Sequence, residues 1–104
     1  MSDVADALSQ ARTGVALSVA ARARCQARLA KLQADAESSY ARAERAMIAG
    51  DEPEARRALD ERGRLRQQLE GTEADMKRLQ GQEEQLRGLV RECEQSLRAI
   101  AARR

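Results

Sequence analysis

Pro53 is the only proline of this chain, and Gly50 stands three residues before it. No other point in the 104 residues concentrates turn chemistry in the same way. Glycine at position 50 suits the left-handed conformation that closes a helix. Asp51 suits the N-cap of a following helix, and Glu54, three residues on, predicts a capping box with it. Pro53 would then fall in the first turn, where a missing N–H costs nothing. One helix is therefore expected to stop near Ala49 and the next to start near Glu52. The break lies close to the midpoint of the chain, giving an arm over about 3–49, a tip at 50–53 and an arm over about 52–103. At ~1.5 Å per residue each arm is roughly 70 Å long. Two arms of such similar length on so short a turn fold back on each other. The expected fold is all-α, a long antiparallel two-helix coiled-coil hairpin, with residues 1–104 as one domain.

Composition agrees. Tyr40 is the only aromatic residue, so an ordinary globular core of large side chains is out of reach. Charged residues make up 35% of the chain, and with Ala, Leu and Gln they give the mixture of a long helix or coiled coil. The same charge content also fits disorder, but the apolar spacing argues against that. In the second arm a strict heptad runs through Ala55, Ala58, Arg62, Leu65, Leu69, Thr72, Met76, Leu79, Glu83, Leu86, Val90, Cys93, Leu97 and Ile100. Only Arg62, Thr72 and Glu83 interrupt its apolar character. The first arm offers a matching seam through Val4, Leu8, Ala11, Val15, Ser18, Arg22, Cys25, Leu29, Leu32, Ala36, Tyr40, Ala43 and Met47. Two successive four-residue steps between Leu32 and Tyr40 predict a local relaxation of the supercoil.

Folding about the tip sets the register: residues that face each other should have numbers summing to roughly 101–105. Arg22 and Glu83, the polar exceptions, then oppose each other and are predicted to pair across the seam, fixing alignment more than stability. Cys25 would face about Arg78 and Cys93 about Ser9. That leaves the cysteines too far apart along the hairpin for a disulfide and suits them to a reduced, structural role. The first arm carries a second stripe, Ala16, Ala20, Ala23, Ala27, Ala30 and Ala34, continued at Ala41 and turned away from the first. A helix with two apolar stripes can pack on two neighbours, so the alanine stripe is a candidate oligomer contact.

Chemistry is sparse. There is no histidine, no glycine-rich phosphate loop and no Cys-x-x-Cys pair, and the acidic residues are those of caps, ion pairs and solvated helix faces. An enzyme is not expected, nor a metal, cofactor or small-molecule substrate. Basic and acidic residues are interspersed, with a net charge of +2, so no patch for nucleic acid stands out. Arg103 and Arg104 suit a helix C-terminus. The longest apolar stretch, about Val15 to Ala21, is far short of a membrane span. The acidic, polar start Met1-Ser2-Asp3-Val4-Ala5-Asp6 lacks the pattern of a signal peptide, which makes the cytoplasm the expected location.

The run from Ala43 through Arg62, and within it Gly50 to Leu59, resembles the hairpin tip of the phage-shock protein A / Vipp family, where an Ala-Leu-x-x-Gly-x-Glu-Asp-Leu-Ala-Arg-x-Ala-Leu type of segment occurs. Leu65, Leu69 and the later heptads are similar to that family's second long helix, and the resemblance covers about Arg12 to Arg98. It implies a coiled-coil hairpin related to ESCRT-III proteins, assembling at membranes and maintaining their integrity under stress. Family members begin with a lipid-inserting amphipathic helix and continue past the hairpin. Ser2 to Gln10 have no strong basic-amphipathic character, and the sequence in hand ends at Arg104. A minimal relative, or a piece that co-assembles with a longer one, is the expectation. The resemblance thus implies a non-catalytic scaffold in membrane-stress maintenance, cytoplasmic and peripheral at the inner face of the membrane. Its partners would be further copies or a related coiled-coil protein. The alternative is a coiled-coil adaptor that binds another protein without a membrane role.

Overall fold

The structure is a computed structural model that describes residues 3–103. Met1 and Ser2 of the acidic start, and Arg104 of the basic end, lie outside the described residues. Two helices make up the fold: α1 over Asp3–Ile48 and α2 over Glu52–Ala102, antiparallel and joined at the predicted tip. Asp3 and Asp6 in the first turn of α1, and Glu52 and Glu54 in that of α2, place negative charge at the positive helix ends.

The junction is built from one capping motif passed directly into another. Gly50 has φ +76°, the left-handed conformation that only glycine adopts without strain. Its N–H donates to the Met47 carbonyl at 3.1 Å, and the Asp51 N–H reaches back to the Ala46 carbonyl at 2.8 Å. These two bonds form a Schellman motif and satisfy the last carbonyls of α1. Asp51 then caps α2: its Oδ1 accepts the Glu54 N–H at 3.2 Å, and its carbonyl accepts the Ala55 N–H at 3.0 Å. The predicted capping box is therefore only half present. Glu54 cannot return a bond to the Asp51 N–H, because the Schellman motif has taken it, and its carboxylate turns to Arg57 and Arg42 instead.

The helices cluster into two compact units. One combines Arg24–Met76, the tip half; the other combines residues 3–23 with residues 77–103. In the tip half the seam of α1 departs from the expectation. Tyr40 and Met47 are exposed, and the buried positions are Leu32, Ala36, Ser39, Ala43 and Ala46. The buried positions keep the alternation of threes and fours, so the double four-residue step expected between Leu32 and Tyr40 is absent. The cause is steric. A three-residue connection holds the two helices close at the tip, and only small side chains fit between them. Ala43 is 2% and Ala58 0% exposed, with Ala46, Ser39 and Ala55 packed alongside.

In the terminal half Leu8, Ala11, Glu83 and Cys93 are buried, while Val15, Leu79, Leu86, Val90 and Leu97 are half-buried. Gly14 gives the Leu86 side chain room: a Cβ there would stand 3.2 Å from both of its methyl carbons. Ile100, the last predicted seam residue, is largely exposed near the end of α2.

Candidate interaction site

The predicted functional residues fall into four groups, which the fold places differently. The tip residues Gly50, Asp51 and Pro53 are exposed, and Glu54 is half-buried. Asp51 and Glu54 are engaged in the junction as described above. Of the seam residues, Leu32 is buried and Leu29, Leu65 and Leu69 are half-buried. The alanines of the stripe, Ala16, Ala20, Ala23, Ala27, Ala30 and Ala34, are all exposed and are not covered by α2.

The polar seam pair lies in the terminal half. Arg22 Nε donates to Glu83 Oε1 at 2.9 Å, and Arg87 Nε donates to Glu83 Oε2 at 2.9 Å from one turn further along α2. Glu83 is buried, and both its oxygens are satisfied. Hydrogen bonding from Arg87, followed by that from Arg22, holds its carboxyl below the usual range despite the opposing effect of burial. Nearby, Arg12 Nη2 reaches Glu94 Oε2 at 3.2 Å.

The tip half has two unlike flanks. On one, Arg42 lies between the acids of α2: its Nη2 donates to Glu61, and its Nε stands 3.2 Å from Glu54 Oε1 without forming a hydrogen bond. Arg57 holds Glu54 from its other side at 3.0 Å. This flank is closed by charge. The opposite flank is open and apolar. Tyr40 is 46%, Met47 67% and Leu59 43% exposed, and Ile48, next to Met47, is 88% exposed. Two shallow grooves of about 420 Å³ each cut into this side. Seam residues Ala36 and Leu69 help to line one, and Ala55 the other. Arg62, a seam position in the heptad, swings out so that its guanidinium lies 4.7 Å from the centre of the Tyr40 ring. A cation–π contact thus keeps a charged residue out of the seam.

Hydrophobicity alone hides this flank, because it places Tyr40 and Met47 in the seam although both are exposed. The signal that could have found it is spacing. Tyr40 and Met47 are seven apart and sit beside a continuous seam that runs through Ser39 and Ala46.

Cys25 and Cys93 are both free. The Cys25 thiol points to the Thr72 carbonyl at 3.6 Å, nearer the tip than the Arg78 expected from the simple register. Among the described residues no group of His, Cys, Asp or Glu could hold a metal, and no helix is long and apolar enough to cross a membrane.

A strict heptad seam between two antiparallel helices, bordered by open grooves, defines a coiled-coil hairpin protein. The chain belongs to the PspA/IM30 family, whose profile matches residues 1–104. Comparison with curated proteins and with solved structures gave no match.

Proposed function

We propose that this chain is a non-catalytic coiled-coil scaffold that acts in membrane-stress maintenance, by association with further copies of itself or with a related coiled-coil protein. The observation that carries the reading is the match to the PspA/IM30 family over residues 1–104. The open apolar flank of the tip half supports the association part, because a soluble two-helix hairpin that works alone has little reason to expose Met47, Ile48 and Leu59 together. The place of action would be the cytoplasmic face of a membrane, reached peripherally. Co-sedimentation with liposomes containing anionic lipid tests this, with the chain alone and mixed with a longer family member. Binding in either arm is the expected result, and absence of binding in both would remove the membrane role.

One feature favours the adaptor reading instead. The apex presents Asp51 and Glu52 to solvent, which would be repelled by an anionic bilayer. An adaptor would stay in the supernatant in both arms.

A further inference from the structure

We propose that the terminal half of the hairpin opens on its own, outward from the Arg22–Glu83–Arg87 layer, while the tip half stays paired. The fold thereby carries one fixed end and one movable end.

Burial is divided unequally between the two compact units. Among the described residues nine are buried in the tip half and four in the terminal half. One of those four is the charged Glu83, which leaves Leu8, Ala11 and Cys93 as the apolar ones. Both halves have half-buried seam leucines, Leu29, Leu65 and Leu69 in one and Leu79, Leu86 and Leu97 in the other. The tip half adds the buried Leu32 and Met76 and a close-packed row of alanines. Opening costs free energy in proportion to the apolar surface returned to water, and a segment with few buried apolar side chains opens below the cost of the whole.

The two ends are also secured differently. At the tip, the Schellman motif and the Asp51 cap tether α1 directly to α2. Contacts beside that connection close short loops, which cost little chain entropy. In the terminal half Arg12 and Glu94 are 82 residues apart in sequence, and their ion pair at 3.2 Å is open to solvent. Such a pair adds little.

The polar layer sets where opening stops. When the helices part, Glu83 loses Arg22 but keeps Arg87, four residues along its own helix, and both charges regain water. The layer therefore holds the helices together less than a pair of leucines would. Nearer the tip along α2 the seam is again buried, at Met76 and Thr72. Opening as far as the layer uncovers Leu8, Ala11 and Cys93 and leaves these untouched.

Thiol labelling of the full chain tests this, because Cys93 is buried in the terminal half and Ser39 in the tip half. Cys25→Ala leaves Cys93 as the one thiol; Ser39→Cys with Cys25→Ala and Cys93→Ala moves it to the tip half at little change in volume. Labelling by a water-soluble aromatic disulfide is followed below the urea unfolding midpoint and divided by the rate in the unfolded chain. Cys93 should react at least ~10-fold faster than the thiol at position 39 and depend less on urea, because its opening exposes less surface. Ala58→Gly, at the most buried point of the tip half, should speed the thiol at position 39 roughly fivefold and leave Cys93 as it is. Arg22→Leu with Glu83→Leu should slow both thiols alike, since the tip half parts only after the terminal half has. Equal rates and a common response to Ala58→Gly would show that the hairpin opens as one body and overturn the proposal. A Cys93 rate that falls as protein concentration rises would place its protection between copies and overturn it too. Cys93 labelling unchanged by Arg22→Leu with Glu83→Leu would overturn the part assigned to the polar layer.

Discussion

Two residues at the junction cap the facing helix ends, and each can be substituted separately. Gly50 adopts a φ of +76° with nothing near the place a Cβ would occupy, so Gly50→Ala meets backbone strain rather than a clash. The expected loss of stability is about 1 kcal/mol. Asp51→Ala removes the side-chain cap on α2, again at a loss of about 1 kcal/mol, while Asp51→Asn should keep most of it. Urea denaturation followed by circular dichroism reads both. Glu83 is the residue whose effect depends on pH. Its folded pKa is lowered, first by Arg87 and then by Arg22, so its ionised form favours the folded state. That contribution is complete above the ordinary glutamate pKa and disappears as pH falls through the lowered folded value. Wild type should therefore be more stable than Glu83→Gln at neutral pH. The difference should shrink as pH is brought below about 4.3, the usual glutamate value. A difference that stayed constant into strong acid would show that the carboxylate charge is not what matters at this position. These residues could be singled out from sequence because their types are unusual where they stand: a glycine and an aspartate between helices, an arginine and a glutamate on apolar seams.

At the scale of the element, α1 and α2 were harder to read than their junction. The helices and their ends follow from caps and heptads, yet the seam of α1 beyond Ala36 was legible only in part. Ser39 and Ala46 are small and carry little hydrophobic signal, whereas Tyr40 and Met47 carry a strong one. Burial at the tip is decided by space, and hydrophobicity there selects the wrong neighbours. The glycines of α2 make a complementary case. Gly63, Gly71 and Gly81 have nothing within 4 Å of a Cβ position, so no contact requires them. Replacing any one with Ala should raise stability by up to about 1 kcal/mol through helix propensity. Gly14→Ala should gain less, since its Cβ must displace the end of Leu86. Thermal unfolding of the four single variants gives the ranking. Equal gains at Gly14 and Gly63 would mean that Leu86 yields freely.

For the whole molecule, the candidate site was less legible than the fold. The alternation of apolar and charged residues specifies that two helices pair, and the turn specifies which way. What lies on the outside of that pair depends on which flank the ion pairs occupy. Arg42, Glu54 and Glu61 settle that only once the helices are set side by side. The hairpin itself remains open to a direct test in solution. Gln10 and Gln95 are exposed, lie in the same compact unit and have numbers that sum to 105, close to the register of the Arg22–Glu83 pair. Spin labels at these two sites should report a short intrachain distance, set by helix axes about 8–10 Å apart and the arms of the labels. Were α1 and α2 to straighten into one continuous helix, the same labels would stand about 130 Å apart, at ~1.5 Å per residue. Dilution with unlabelled chain separates this distance from any between copies, because contacts between copies fade with dilution and the intrachain distance does not. Persistence of the short distance in the Gly50→Ala variant would show that the two seams, rather than the turn, hold the arms together. A shift towards the long distance would place that role on the turn.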